Sequence, residues 1–163
     1  MYAVFLLPAL ISMVADPIPG ALEVHRGTWV LRGVPDAATI AAMKRARITH
    51  VFSLCRDGDP GFDPNQEGQA LADAGILFSR VSLKRAPTAA DLELFRMVRN
   101  SLPPDAKVLV HCTDGNRAAA VAVAFLAIEG RVKRAEALDL ARRAGMVQPE
   151  TENALRVYLK LGG

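Results

Sequence analysis

Two residues able to do chemistry stand close together late in the chain, a thiol at Cys112 and a guanidinium at Arg117. Between them lie Thr113, Asp114, Gly115 and Asn116. Before Cys112 runs a short β-branched apolar stretch, "VLVH"; after Arg117 begins a long alanine-rich stretch, "AAAVAVAFLAIEG". The loop therefore joins the end of a strand to the start of a helix. Successive backbone N–H groups in such a turn converge on one point, and the helix N-terminus adds partial positive charge. Gly115 supplies the left-handed or close-approach conformation that the turn needs. Arg117, in the first helical turn, is placed to bind an oxyanion in bidentate fashion. The same field is expected to lower the pKa of Cys112 and make it a nucleophile. The combination reads as an anion-binding cradle with a nucleophile at its base. For His111, next to the nucleophile, two readings stand level: a ring that orients the loop backbone, or a satisfied core histidine.

The elements that must hold this loop follow from the pattern along the chain. "TWVLRG" (28–33) reads as a strand, and Asp36 as the N-cap of a helix over 37–47 whose buried face carries Ile40 and Met43. A strand over 48–54 leads to a Gly/Asp/Pro-rich loop, "CRDGDPGFDPN", then a helix over 66–75 closed by Gly75. A strand over 76–83 precedes a Thr88-x-x-Asp91 start for a helix over 89–102. The strand at 108–111 and helices over 116–129, 133–144 and 149–161 complete the order. Strands alternating with helices of about 10–15 residues predict an α/β fold, with a parallel central sheet of about four to five strands and helices on both faces. In such sheets ligands sit at the carboxyl ends of strands, where Cys112 lies.

Composition sets the outer limits. With 163 residues, 51% of them hydrophobic, the chain can bury one core, and a single domain over 21–163 is expected. The net charge of +3 suits a small anionic substrate, and no run of five like charges points to nucleic acid. The two cysteines, Cys55 and Cys112, form no C-x-x-C pair, and His25, His50 and His111 do not cluster with them at zinc spacing. Neither a metal nor a cofactor is implied. Residues 2–15 are apolar, too short to span a bilayer and interrupted by Pro8. The length suits a secretory signal ending near Ala15, with "DPIPG" as linker; no Lys or Arg precedes it, and an N-terminal arm is the alternative. Residues 1–20 are thus read as signal or arm, which favours an exported or periplasmic protein over a cytoplasmic one.

"VLVHCTDGNRAAAVAVAFLAIEG…EALDLARRAGM" resembles the active-site loop and following helices of cysteine-dependent protein phosphatases. The likeness is greatest to the bacterial tyrosine-phosphatase-like family that also occurs beside or fused to β-lactamase-like hydrolases. "RGVPDAATIAAMKRARITHVFSL" and "GILFSRVSL" fall where that family has its first helix and two strands, so the resemblance spans roughly residues 22–146. It implies that Cys112 attacks phosphorus, that Arg117 binds the phosphoryl oxygens, that the backbone amides of Thr113, Asp114, Gly115, Asn116 and Arg117 complete the cradle, and that water hydrolyses the phosphocysteine. The substrate would be a phosphorylated small molecule or protein.

Three features depart from cysteine phosphatases in general, of which the bacterial family is read as tolerating the first. Four residues separate Cys112 from Arg117 where such phosphatases generally have five; the shorter loop matches rhodanese-like sulfurtransferases, in which the cysteine carries a persulfide. Ala118 stands where a Ser or Thr usually follows the arginine, which points toward an anion-binding module of weak activity. The general acid is not where it is expected: "VSLKRAPTAAD" offers only Asp91, which reads as a helix start. Asp57, Asp59 and Asp63 in the long loop are alternatives, as is Asp114, which must point outward or carry a proton because a carboxylate repels a phosphate dianion. Some phosphoinositide phosphatases share a Cys-x-Asp-Gly start. Arg80, Lys84 and Arg85 form a basic cluster that could steer an anion, and Cys55, at the end of its strand, could pair reversibly with Cys112.

Overall fold

A computed structural model describes residues 18–83 and 86–161. Residues 1–17, with the expected signal, and Lys84 and Arg85 of the basic cluster lie outside the described residues.

Strands β1 (Ala21–His25), β2 (Thr28–Arg32), β3 (His50–Ser53), β4 (Leu77–Arg80) and β5 (Val108–Cys112) form one sheet in the order β1-β2-β5-β3-β4. All neighbours are parallel except β1 and β2. The fold is α/β with the expected parallel central sheet, to which β1 adds an antiparallel edge through the turn at Gly27. Its pattern hid it, because only Val24 of its five residues is fully buried and no alternation shows in the sequence.

β5 is central and every residue in it is buried, which is why it reads as a continuous apolar run. Strand alternation divides its side chains. Val108, Val110 and Cys112 face one core with α3 (Ala89–Asn100), α4 (Asn116–Ile128), α5 (Arg134–Ala144) and α6 (Pro149–Leu159). Leu109 faces the other core with α1 (Ala37–Arg45) and α2 (Pro64–Asp73). Helices thus cover both faces.

α4 explains its own composition. Residues 116–127 are all buried, because the sheet lies beneath this helix and α3, α5 and α6 pack around it. A helix enclosed on all sides is apolar all round, and alanines let its neighbours approach closely. Phe125 of α4 packs edge-on against Phe95 of α3, which packs in the same way on Phe52 of β3, at centroid distances of 5.9 and 5.0 Å. The caps are those expected: Asp36 accepts from Thr39 N, and Thr88 and Asp91 close a reciprocal capping box.

Candidate active site

The register of the sheet sets Arg32 opposite Cys112, and Gly33 N–H donates to the Cys112 carbonyl at 3.1 Å. The chain then turns through Gly115, which has φ +85° and precedes α4. A Cβ there would lie 2.8 Å from Cγ of Arg32, so both the backbone and the space demand glycine. Arg32 continues past Gly145 and donates from Nε to the Ala144 carbonyl at 3.2 Å and from Nη2 to that of Arg143. A cation at the last carbonyls of α5 is favourably placed against the helix dipole. The cradle, β2 and the end of α5 are therefore locked through one side chain.

Cys112 is fully buried at the base of the loop, with the N–H groups of Asp114 and Ala118 directed at its sulfur. The expectation of a lowered pKa is not met. Burial pushes the thiol up, the two N–H groups and Arg117 pull the other way without prevailing, and the Asp114 carboxylate adds to the rise. Asp114 Oδ1 lies 3.4 Å from Sγ and also accepts from Asn116 N at 2.9 Å, while Gln148 Nε2 donates to Oδ2 at 3.3 Å. One oxygen of the carboxylate is turned toward the Cys112 sulfur, not outward.

Arg117 is 8% exposed and already well bonded. Nη1 donates to the carbonyls of Leu54 (3.2 Å) and Leu83 (2.6 Å); Nη2 donates to Thr113 Oγ1 (3.2 Å) and to Asp59 Oδ2 (2.7 Å). Asp59 also accepts from Arg56, at Nε (2.8 Å) and at the backbone N (3.1 Å). Burial alone would raise the pKa of Asp59, but the hydrogen bonds from Arg117 and Arg56 outweigh it and bring the value to about 2.

Of the three aspartates in the long loop, the structure brings only Asp59 to this site. Asp57 is exposed and pairs with Arg80 at 2.8 Å, and Asp63 caps α2 by accepting from the N–H groups of Asn65 and Gln66. Asp91 closes the α3 capping box. Arg80 is engaged in bracing the same loop: it donates to the Cys55 carbonyl at 3.1 Å and lies over the Phe62 ring. Cys55 and Cys112 are both free thiols, and burial drives the Cys55 pKa up to about 11.

His111 does not orient the loop. Alternation turns its ring to the opposite face of the sheet, where Nε2 lies 2.6 Å from Oε1 of Glu67 on α2, both side chains being buried. Glu67 was missed in the sequence, although it sits four residues before the buried Leu71 and so shares its inward face.

Also missed was the role of the α6 start. The buried Asn116 side chain accepts from Val147 N (2.9 Å) and Gln148 N (3.0 Å), and donates to Gln148 Oε1 (3.0 Å) and Thr151 Oγ1 (2.6 Å). It ties the cradle to the segment that forms one wall of a cavity of about 430 Å³. Gln148 and Glu150 line that wall; Arg56, Asp59 and Pro60 line the opposite one, and Thr113, Asp114, Asn116 and Arg117 lie between. Among the described residues, no group of three His, Cys, Asp or Glu side chains is placed to hold a metal ion, and no helix is long and apolar enough to cross a membrane.

No family model matches the sequence, and no curated protein matches it significantly. Solved structures do. A DUF442 protein from Shewanella putrefaciens CN-32, described as a proposed phosphatase, superposes with a TM-score of 0.73 at 20% identity, over 90% of this chain and 92% of its own. Tk-PTP in its active form gives 0.69 at 22%, over 87% and 97%. PTPMT1, solved in complex with PI(5)P, gives 0.68 at 16%, over 86% and 95%. The fold is that of the tyrosine-phosphatase-like cysteine phosphatases. In this chain the loop that follows Cys112, from Thr113 to the arginine at the start of α4, borders the cavity, and the thiol lies buried behind it.

Proposed function

We propose that this chain is a cysteine-dependent phosphatase that hydrolyses phosphomonoesters through a phosphocysteine on Cys112, as a member of the bacterial tyrosine-phosphatase-like family. The observation that carries the reading is the meeting of a buried thiol, N–H groups aimed at its sulfur and a fixed guanidinium beneath one open cavity. Sulfur attacks phosphorus as the P–O bond to the leaving group breaks; water then cleaves the S–P bond and releases phosphate. Arg117 binds the phosphoryl oxygens, and Asp59 serves to hold it in place. A carboxylate ionised down to about pH 2 donates no proton at neutral pH, so Asp59 is not assigned the acid role. The substrate is a phosphorylated small molecule, lipid headgroup or protein, and the apolar N-terminal run is read as an export signal.

The test is hydrolysis of para-nitrophenyl phosphate by wild type and by Cys112→Ser. Turnover that is lost in the variant supports the reading. An inactive wild type that transfers sulfur from thiosulfate overturns it in favour of the rhodanese-like chemistry that the four-residue spacing allows. An inactive wild type that only binds inorganic phosphate makes the site an anion-binding module.

A further inference from the structure

The phosphatase reading leaves the leaving group's proton donor unassigned. Asp59 is bound by Arg117 and Arg56, Asp57 by Arg80, and Asp63 and Asp91 by helix starts. Asp114 differs from all of these. It is exposed to the cavity, yet one of its carboxylate oxygens lies 3.4 Å from the nucleophilic sulfur. Resting on the phosphatase reading, we propose that Asp114 is a catalytic residue that takes the Cys112 thiol proton and delivers it to the leaving-group oxygen.

The physical argument starts from repulsion. A carboxylate and a phosphate dianion in contact do not both stay charged at neutral pH, so an arriving phosphoryl group favours the protonated form of Asp114. The nearest proton is on the buried Cys112 thiol, which is held protonated by its surroundings. Its transfer does two things at once. It makes the thiolate that attacks phosphorus, and it turns Asp114 from a repelling anion into a hydrogen-bond donor beside the departing oxygen. The cycle balances. In the first step the S–H bond breaks, S–P forms, P–O breaks, and the alcohol leaves with the proton from Asp114. In the second, Asp114 accepts a proton from the attacking water, S–P breaks, and the proton returns to the sulfur. Gln148 and Asn116 N–H hold the two carboxylate oxygens in the resting state. The other charges facing Asp114 across the cavity are Arg117 on α4, Arg56 and Asp59 on the loop before α2, and Glu150 on α6.

The experiment compares wild type with Asp114→Asn, which keeps the acceptor for Asn116 N–H but cannot carry the proton. Two readouts are needed. The first is turnover on para-nitrophenyl phosphate and on an alkyl phosphate. Removing a general acid is expected to cost roughly 10²–10⁴-fold on the alkyl ester, and much less on the nitrophenyl ester, whose leaving group needs no proton. The second is the ultraviolet thiolate absorbance of Cys112 against pH, read as the difference from Cys112→Ser. Its midpoint should fall in Asp114→Asn, because the thiol loses a neighbouring negative charge while the amide oxygen stays in place.

An equal loss on both esters, or an unchanged one, overturns the proposal, and so does a thiolate midpoint that stays or rises. If wild type turns over neither ester, the phosphatase reading itself fails. The absorbance titration still reports whether Asp114 and Cys112 share the proton.

Discussion

Arg117 and Asp59 meet as a buried ion pair, Nη2 to Oδ2 at 2.7 Å, with both side chains less than a tenth exposed. The arginine is thus oriented before any ligand arrives. Asp59→Ala leaves the Arg117 charge with neutral acceptors alone, so it should lower stability by about 1.5–3 kcal/mol and raise KM for phosphomonoesters through a loosened Arg117. The pH dependence has a definite sign. Folding depresses the Asp59 pKa from 3.8 to about 2, so its contribution is full above the unfolded value and is lost as pH falls through the folded one. Urea unfolding of wild type and variant should therefore differ most above about pH 4 and converge toward pH 2. A gap that stays constant across that window would remove Asp59 from this role.

Gly115 and Arg32 share a space that holds only one of them at full size. Gly115→Ala forces a left-handed backbone on an alanine, a cost of roughly 1–2 kcal/mol, and puts a methyl 2.8 Å from Cγ of Arg32. Displacement of the cradle by about 1 Å is expected to lower kcat/KM by about 10²-fold. Because part of the clash is with a flexible side chain, Arg32→Ala should relieve it. The double variant should then be more stable than the two single losses predict, by about 0.5 kcal/mol or more. Strict additivity in thermal unfolding would show that the contact does not matter.

Asn116 offers a sharper division of roles, because its side-chain oxygen and nitrogen serve different partners. Asn116→Leu leaves the buried Thr151 hydroxyl without this partner, at about 1–3 kcal/mol, and removes the acceptor of the half-buried bonds from Val147 N and Gln148 N. Asn116→Asp keeps the acceptor for both N–H groups, now as a charge-assisted one, while it loses the donor to Gln148 Oε1 and Thr151 Oγ1 and adds a buried negative charge. The melting temperature should rank wild type, then Asn116→Asp, then Asn116→Leu. Equal losses in the two variants would mean that the bonds to Val147 and Gln148 are not what holds the cavity wall.

The elements around the site were legible because each follows from local chemistry. The run 108–112 is apolar since both faces of β5 are covered, and Thr88 and Asp91 announce a helix start by their spacing alone. The cradle, too, is contiguous, so its geometry could be anticipated from Gly115. What stayed hidden depends on residues far apart in the chain. Asp59 meets Arg117 across 58 positions and Asn116 meets Thr151 across 35, and no periodicity encodes such pairs. The Cys112 pKa was misjudged for a related reason. The loop's N–H groups are written in its sequence, whereas the burial that outweighs them comes from helices packed later.

His111 and Glu67 test whether proximity to Cys112 in sequence means participation in the chemistry. Their contact of 2.6 Å lies on the side of the sheet away from Cys112, in a fully buried setting. Glu67→Leu alone leaves the His111 ring without its partner and should destabilise by about 1–3 kcal/mol. Replacing both, as Glu67→Leu with His111→Phe, substitutes apolar groups of similar volume for a buried polar pair, a change that is often neutral or stabilising. The double variant should therefore melt near the wild-type temperature, above Glu67→Leu alone. It should also keep phosphatase turnover of the same order, since neither ring nor carboxylate touches the loop. A fully folded double variant with turnover abolished would instead make His111 part of the catalytic machinery, acting on Cys112 through the strand they share.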